Sequence, residues 1–386
     1  MSEFIVRAYE PADEEQFYRV WQMTYHDGVP YAAEDRNFWG TVPYVCERDG
    51  AVAAVAGVRP MTVTRGAGKM RCAGVAGVAV SPECRGSGAG SALMRGLVRL
   101  LREEGYVLSA LYAYREPFYR KSGYEVCGKR LHLSCPAHRF PAVESELPAR
   151  VISQADWKAL AQVDAAFCHA RSGANLLDET WAKRRLGDEG KTTLYAFGDP
   201  PEAYAAVDLK TAFWTEQAVD DFEWSTERGY RSILALMRQV AANKTSLTWF
   251  EPSDSPYVSS YLDQGVSVEV TKPVMYRVLN VPEALRALRA LRPERSGSFR
   301  FRVVDSDFPE NEGPFAVEFS ADRISVGEAA EADFCLDVKR FAQAYLGDPS
   351  LADLARNGLI SLPAGEARWA AEALMTAMPV YCQDFF

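Results

Sequence analysis

Arg85-Gly86-Ser87-Gly88-Ala89-Gly90 is the stretch whose residue types and spacing point most directly to chemistry. Its glycines let the chain turn tightly while several backbone N–H groups point at one place. The amphipathic helix expected to start there adds roughly half a positive charge at its N-terminus, so the loop is an anion site. Further on, Pro117 suits the first turn of a short helix, which puts Tyr119 one turn in. A phenol titrates near ~10 and a thiol near ~8.5, so a tyrosine in that position can donate a hydrogen bond or a proton to a leaving sulfur. In the loop after the first expected helix, Asp27, Glu34 and Asp35 are candidate contacts for a cationic substrate.

The elements that must position these groups lie between Cys72 and Tyr124. Val75 to Val80 is apolar enough for a strand inside a sheet, and Ser81-Pro82 ends it, because proline removes a ladder donor. The helix after the loop carries Leu93, Leu97, Leu100 and Leu101 on one face and Arg95, Arg99 and Arg102 mostly on others, as a surface-packed helix does. Val107 to Ala113 is the next strand. Upstream, Phe4 to Ala8 predicts a strand and Asp13 to Tyr25 a helix with Phe17, Val20, Trp21 and Thr24 at helical spacing. Tyr44 to Glu47 and Ala51 to Pro60 predict a hairpin around Arg48-Asp49-Gly50. Val126 to Leu133 is expected as the last strand of a first domain, residues 1–140.

Pro136 to Pro148 has no period and is rich in Pro, Glu and Ala, which predicts a linker. A second domain, residues 141–279, repeats the opening pattern more faintly: a strand at Gln217 to Glu223, a turn at Gly229, an apolar helix from Tyr230 to Ala242, and a strand at Leu247 to Phe250. Tyr261-Leu262-Asp263-Gln264-Gly265 echoes Tyr119-Arg120-Lys121-Ser122-Gly123. Glu227-Arg228-Gly229 offers one glycine where the first copy has three, so this copy keeps the frame without the anion loop. Residues 280–386 form a third domain: a helix at Pro282 to Leu291, strands at Ser298 to Val304, Pro314 to Phe319 and Arg323 to Val326, then helices at Val338 to Leu346, Leu351 to Gly358 and Glu366 to Met378. Strands followed by helices indicate an α+β unit.

The totals narrow the class. A chain of 386 residues with net charge -9 and few clustered basic residues is unsuited to a polyanion, so nucleic acid is excluded as a partner. No apolar run is long enough to span a bilayer, and the acidic first residues carry no export signal, so no membrane partner and a cytoplasmic location are expected. The eight cysteines form no Cys-x-x-Cys pair or Cys/His cluster, which predicts reduced thiols and no metal site. Cys84 beside the loop reads as a bystander thiol, and the four histidines have no relay spacing.

The strand, the loop with Arg85, Gly88 and Gly90 in register, and the following helix resemble the acetyl-coenzyme A core of the GCN5-related N-acetyltransferases (GNAT), whose signature is Arg/Gln-x-x-Gly-x-Gly/Ala after a strand. The resemblance implies acetyl-CoA as co-substrate. The strand backbone at Val78, Ala79 and Val80 would then meet the pantetheine arm, with Val78 and Val80 pairing to it. The amides of Arg85, Gly86, Ser87, Gly88, Ala89 and Gly90 would hold the pyrophosphate. In this fold a tyrosine at the place of Tyr119 is a frequent general acid.

The order of an acetyltransferase domain, a degenerate second copy and a sterol-carrier-like third domain ending on an aromatic residue resembles the Eis (enhanced intracellular survival) acetyltransferases. That likeness implies two tandem GNAT folds with mixed sheets plus an α+β domain. It also implies a hexamer, and a C-terminal carboxylate, here on Phe386, that reaches the first domain's site as base or cation holder. An α-carboxyl near ~3.5 and an amine near ~10 differ by roughly 6 units, or about 9 kcal/mol, so Phe386 must be desolvated, helped by water, or chiefly a holder of the cation. Family members that acetylate aminoglycosides have acidic groups close to the chain end. Here Phe385 stands before the terminal residue, with Asp384 one further back. The function implied is transfer of acetyl to a primary amine of an aminoglycoside, polyamine or lysine by direct attack. The alternatives are a non-catalytic acyl-CoA sensor and a lipid carrier acting through the third domain.

Overall fold

The computed structural model describes residues 3–188, 190–210, 212–262, 265–271, 274–288, 296–321 and 323–386. The first unit runs β1 (Ile5–Ala8), α1 (Glu14–Tyr25), β2 (Val42–Arg48), β3 (Ala51–Arg65), β4 (Gly68–Val80), α2 (Ala89–Glu103), β5 (Leu108–Tyr112), α3 (Glu116–Arg120) and β6 (Glu125–Val126). Asp49 and Gly50 both have positive φ, the geometry an Asp-Gly hairpin turn between β2 and β3 needs. Leu93, Met94, Leu97, Val98 and Leu101 bury the inner face of α2, and Phe17, Tyr18, Val20 and Trp21 that of α1, on opposite faces of the sheet. Parallel pairing of β4 with β5 runs from Cys72↔Leu108 to Val75↔Leu111 and stops. From Ala76 to Val80 the β4 backbone therefore has no strand partner on that side.

The strand expected at Val126 to Leu133 is divided, with its halves in different sheets. β6 stays with the first unit, whereas β7 (Arg130–Pro136) pairs antiparallel with two later strands, β14 (Ser246–Pro252) and β15 (Ser267–Thr271). In exchange β16 (Val274–Val278) enters the first sheet between β5 and β6. Each unit thus completes its sheet with a strand from the other.

The rest of the second unit is β8 (Ala149–Ile152), α4 (Ala161–His169), β9 (Ser172–Asn175), α5 (Glu179–Arg185), β10 (Thr192–Phe197), β11 (Ala203–Asp208), β12 (Glu216–Ala218), β13 (Asp221–Trp224), α6 (Glu227–Val240) and α7 (Pro256–Ser260). The single strand expected at Gln217 to Glu223 is two. β12 lies parallel to β14 and β13 antiparallel to β11, with the hand-over at Val219 and Asp220, whose amides bond Thr248 O and Ala206 O. This is the same parting of neighbouring strands seen at β4, so the second copy keeps the frame of the first. Of the echo motif, Asp263 and Gln264 lie outside the described residues.

The third unit contains α8 (Val281–Ala287), β17 (Gly297–Val304), β18 (Phe315–Phe319), β19 (Ile324–Glu328), β20 (Phe334–Asp337), α9 (Val338–Leu346), α10 (Leu351–Arg356) and α11 (Glu366–Leu374), with sheet order β19-β18-β17-β20. Phe299, Phe301 and Val303 alternate inward along β17 as a half-buried strand requires. β20 has only four residues and escaped the periodicity reading. Residues 289–291, the expected end of the first helix, lie outside the described residues. Arg65, fully buried at the end of β3, fastens this unit to the first: its Nε donates to Tyr345 O (2.7 Å) and its Nη2 to Thr376 O (2.5 Å). Among the described residues no helix is long and apolar enough to cross a membrane.

Candidate active site

The gap between β4 and β5 opens into a cavity of about 1470 Å³. Its lining joins groups from both ends of the chain, including Val78, Arg85, Gly88, Tyr119, Phe385 and Phe386. Gly86 (φ +79°) and Gly88 (φ +92°) are left-handed, and a Cβ on either would meet nothing within 4 Å, so the loop borders open space. Gly88 caps α2 without any side-chain hydrogen bond, so the first amides of that helix have no partner within it. The corresponding helix of the second copy, α6, is capped by Thr226, whose Oγ1 accepts from Gly229 N at 3.1 Å. The helix after the turn thus begins with a side-chain cap in the second copy and without one in the first.

Gly90 has a different task. A Cβ there would come 3.1 Å from Val80 Cγ2, so the glycine lets α2 sit close on β4. Ala89 also lines the cavity; Ser87 does not, and turns its hydroxyl to Cys84 O at 2.6 Å. Val78, Ala79 and Val80 line the cavity from β4. A bulge at Gly77 (φ +58°) turns the strand there, held by Trp21 Nε1 donating to Gly77 O at 2.7 Å. The neighbouring Val78 O already accepts the Tyr25 hydroxyl at 2.8 Å.

Tyr119 is buried on α3 among Phe118, Tyr114 and Tyr124, and among the described residues its hydroxyl has no hydrogen-bond partner. Burial pushes its phenol well above the usual value, so it is a hydrogen-bond donor throughout the physiological range. The turn behind it is fixed from the other units. Arg277 on β16 is fully buried, donates to Ser122 O, and pairs with Asp305 (2.8 Å) and Asp307 (2.9 Å). A Cβ on Gly123 would collide with Arg277 Nη1 at 2.2 Å. All three units thus brace the segment that carries Tyr119.

The chain end crosses the second unit before reaching the cavity. Val380 bridges Ser172, Gln383 Nε2 donates to Asn175 O and Glu223 Oε1 (both 3.0 Å), and Asp384 Oδ2 accepts from Asn175 Nδ2 at 2.8 Å. The Phe386 ring then packs beside Tyr112 and Trp181, over Gly74 of β4. Asp27, Glu34 and Asp35 are exposed and are not among the cavity-lining residues. The sequence reading missed Arg59, Arg184, Tyr25 and Trp39, which do line it. Arg59 left one signal, a charged residue at the end of the apolar run Ala51 to Val58.

Below the chain end sits a buried charge cluster. Arg185 pairs with Asp164 (3.1 Å), Asp221 (3.3 Å) and Glu223, and lies 3.8 Å from Asp384. Asp164, Cys168 and Glu223 are near enough to share a cation, but the Arg185 guanidinium already occupies the charge between the two carboxylates. Burial also pushes the Cys168 thiol well up, away from the thiolate a metal would need.

Residues 5–127 match the family model described as an acetyltransferase (GNAT) domain, and residues 281–383 match the sterol carrier protein domain. No curated protein matches the chain. Among solved structures, the chain is similar over its full length to a GCN5-related N-acetyltransferase from Anabaena variabilis ATCC 29413 (TM-score 0.88, 19% identity, 100% of both chains covered). It is similar to another from Kribbella flavida (TM-score 0.84, 22% identity, 100% of this chain and 99% of that one). Eis1 from Mycobacterium abscessus also shares the fold (TM-score 0.79, 19% identity, 99% of this chain and 100% of that one). Residues 5–127 are therefore a GNAT acetyltransferase domain and residues 281–383 a sterol carrier protein domain, linked through a second unit that exchanges strands with the first, and the chain as a whole has the fold of these solved structures.

Proposed function

We propose that the chain transfers acetyl from acetyl-CoA to a primary amine by direct attack while both substrates are bound. The observation that carries this reading is the single cavity lined by the uncapped glycine loop, Tyr119 and the chain end at Phe386. In this reading the pyrophosphate rests on the Arg85 to Gly90 backbone and the pantetheine arm lies along Val78 to Val80, where β4 has lost its neighbour. The amine lone pair attacks the thioester carbonyl carbon, a C–N bond forms, and the C–S bond breaks. The nitrogen gives up its proton to the Phe386 carboxylate and from there to water. Tyr119 donates a hydrogen bond to the departing sulfur. With its phenol raised by burial, full proton transfer to a thiolate is uphill, and the thiolate takes its proton from solvent.

Incubating the purified chain with acetyl-CoA and a panel of primary amines, and following free thiol, tests this. Amine-dependent thiol release that falls about tenfold to a hundredfold in Tyr119→Phe, with acetyl-CoA binding kept, is expected. No release with any amine sinks the enzymatic reading, and unchanged turnover in Tyr119→Phe removes Tyr119 from the mechanism.

A further inference from the structure

The charges around the acceptor end of the cavity are not those suited to a polycation. Among the described residues no Asp or Glu side chain lines the cavity, and its charged side chains are Arg59, Arg85, Arg115 and Arg184. Arg85 belongs to the phosphate loop and Arg115 precedes the Tyr119 helix, which places both on the donor side. Arg59 and Arg184 are elsewhere. Arg59 on β3 is paired across the sheet with Gly74, the residue on which the Phe386 ring rests, and Arg184 lies in the last turn of α5, three residues after Trp181, which also packs against that ring.

Arg59 is only 6% exposed, yet among the described residues it has no hydrogen bond or ion pair, and its Nε is buried without a partner. Burial and the facing Arg184 lower its pKa to about 10, and Asp384 only partly compensates. The Asp384 carboxylate is itself taken up by Asn175 and faces Arg185. A buried guanidinium without a counter-ion is costly, and its fork geometry fits a carboxylate or phosphate bidentately. An acceptor with further ammonium groups would set like charges against two arginines.

Resting on the acetyl-transfer reading for its amine, we propose that the acceptor also carries an oxyanion, a carboxylate or a phosphate, which Arg59 and Arg184 bind. The same arginines disfavour a neighbouring ammonium, so they raise the fraction of acceptor that arrives as free base. This shortens the proton-transfer gap that the Phe386 carboxylate faces.

Matched pairs test it on the full chain: β-alanine against β-alaninamide, and 2-aminoethyl phosphate against ethanolamine, with spermidine and kanamycin as polycations. The anionic member of at least one pair is expected to have about tenfold or higher kcat/KM, through KM, and the two pairs distinguish carboxylate from phosphate. Arg59→Gln is expected to abolish the preference. Arg184→Gln, at an exposed position, reduces it even if the buried substitution fails to fold. Faster turnover of the neutral or cationic amines overturns the proposal. So does an equal loss for every acceptor in Arg59→Gln, which would assign Arg59 to the chain's own terminal carboxylate. Calorimetry with N-acetyl-β-alanine and N-acetyl-2-aminoethyl phosphate on the CoA-loaded protein separates the two readings. Arg59-dependent binding without any turnover leaves the anion site standing and removes acetyl transfer. Turnover with neither pair selective and no Arg59-dependent binding removes the anion site alone.

Discussion

The Tyr112 hydroxyl at the end of β5 donates a 2.8 Å hydrogen bond to the backbone oxygen of Asp384, two residues from the end of the chain. Its ring also lies 4.8 Å from that of Phe385 and 5.3 Å from that of Phe386. The strand that flanks the gap beside β4 is therefore the strand that receives the chain end. Deleting Phe386 moves the terminal carboxylate back by one residue and leaves the phosphate loop untouched. The expected outcome is a fall in kcat of about tenfold or more, equivalent to about 1.4 kcal/mol of barrier, with acetyl-CoA affinity changed less than about twofold. Tyr112→Phe removes the hydrogen bond to Asp384 O together with the longer ones to Cys382 O (3.3 Å) and from Arg130 Nη1 (3.5 Å), worth about 1 kcal/mol in sum, and lowers kcat by less, about fivefold. Thiol-release kinetics and calorimetry with acetyl-CoA check both, and an unchanged kcat in the deletion removes the terminal carboxylate from the reaction.

Tyr25 makes a prediction of opposite sign. Its hydroxyl occupies Val78 O, the carbonyl that the pantetheine arm is expected to use. Cofactor binding must then break that bond and remake one of similar strength, so part of the affinity is lost to the exchange. Tyr25→Phe frees the carbonyl in advance. Acetyl-CoA is expected to bind about threefold to fivefold more tightly, corresponding to about 1 kcal/mol at most, as read by calorimetry. Weaker binding would instead show that the hydroxyl contacts the cofactor.

The two copies offer a matched pair of glycine substitutions. Gly88 has φ +92° and free space beside it, so Gly88→Ala adds backbone strain of about 1–2 kcal/mol and a methyl group at the phosphate loop. Its acetyl-CoA dissociation constant is expected to rise about tenfold or more. In Gly229→Ala the new Cβ would lie 2.8 Å from Glu202 O, inside the packed second unit. That variant should lose thermal stability while the chains that remain folded keep wild-type affinity. A melting curve and a titration of each variant suffice, and loss of cofactor affinity in Gly229→Ala would count against assigning the cofactor to the first copy alone.

What was legible in the sequence was local. The loop from Arg85 to Gly90, the apolar face of α2 and the placing of Tyr119 on a proline-started helix each follow from residues within a turn or two of one another, and the structure has these elements. The strand exchange was not legible. Arg130 to Pro136 alternates buried and half-buried residues, a period that says which face is inward and nothing about which sheet the strand joins. Arg59 was hidden for a related reason, since its neighbours Arg184 and Phe386 are supplied by other units. Convergence over long sequence separation leaves no spacing to read. The acidic residues Asp27, Glu34 and Asp35, chosen for charge and loop position, stand exposed to solvent outside the cavity.

Asp384 gives the chain end a pH dependence whose sign follows from burial. Burial raises its carboxyl from 3.8 to about 6, while Arg185 and the Asn175 hydrogen bond pull it partly back, and Asp221 and Asp164 push it further up. Glu223 and Asp164, which face the same arginine, are raised as well. Because the native carboxyl is the weaker acid, the folded chain holds a proton between about pH 4 and 6 that the unfolded chain has released. The stability linked to that proton is fully present below about pH 4 and lost as pH rises through about 6. The total is about 3 kcal/mol for this group. The amides of Tyr381 to Phe386 are therefore expected to exchange with solvent more slowly at pH 5 than at pH 7.5, after correction for intrinsic rates. Asp384→Asn can still accept the Asn175 hydrogen bond and cannot titrate, so the component with its midpoint near pH 6 should disappear, leaving the part due to Glu223 and Asp164. Hydrogen exchange of the C-terminal peptide in both proteins decides the matter, and an unaltered midpoint in Asp384→Asn would move the titration to another member of the cluster.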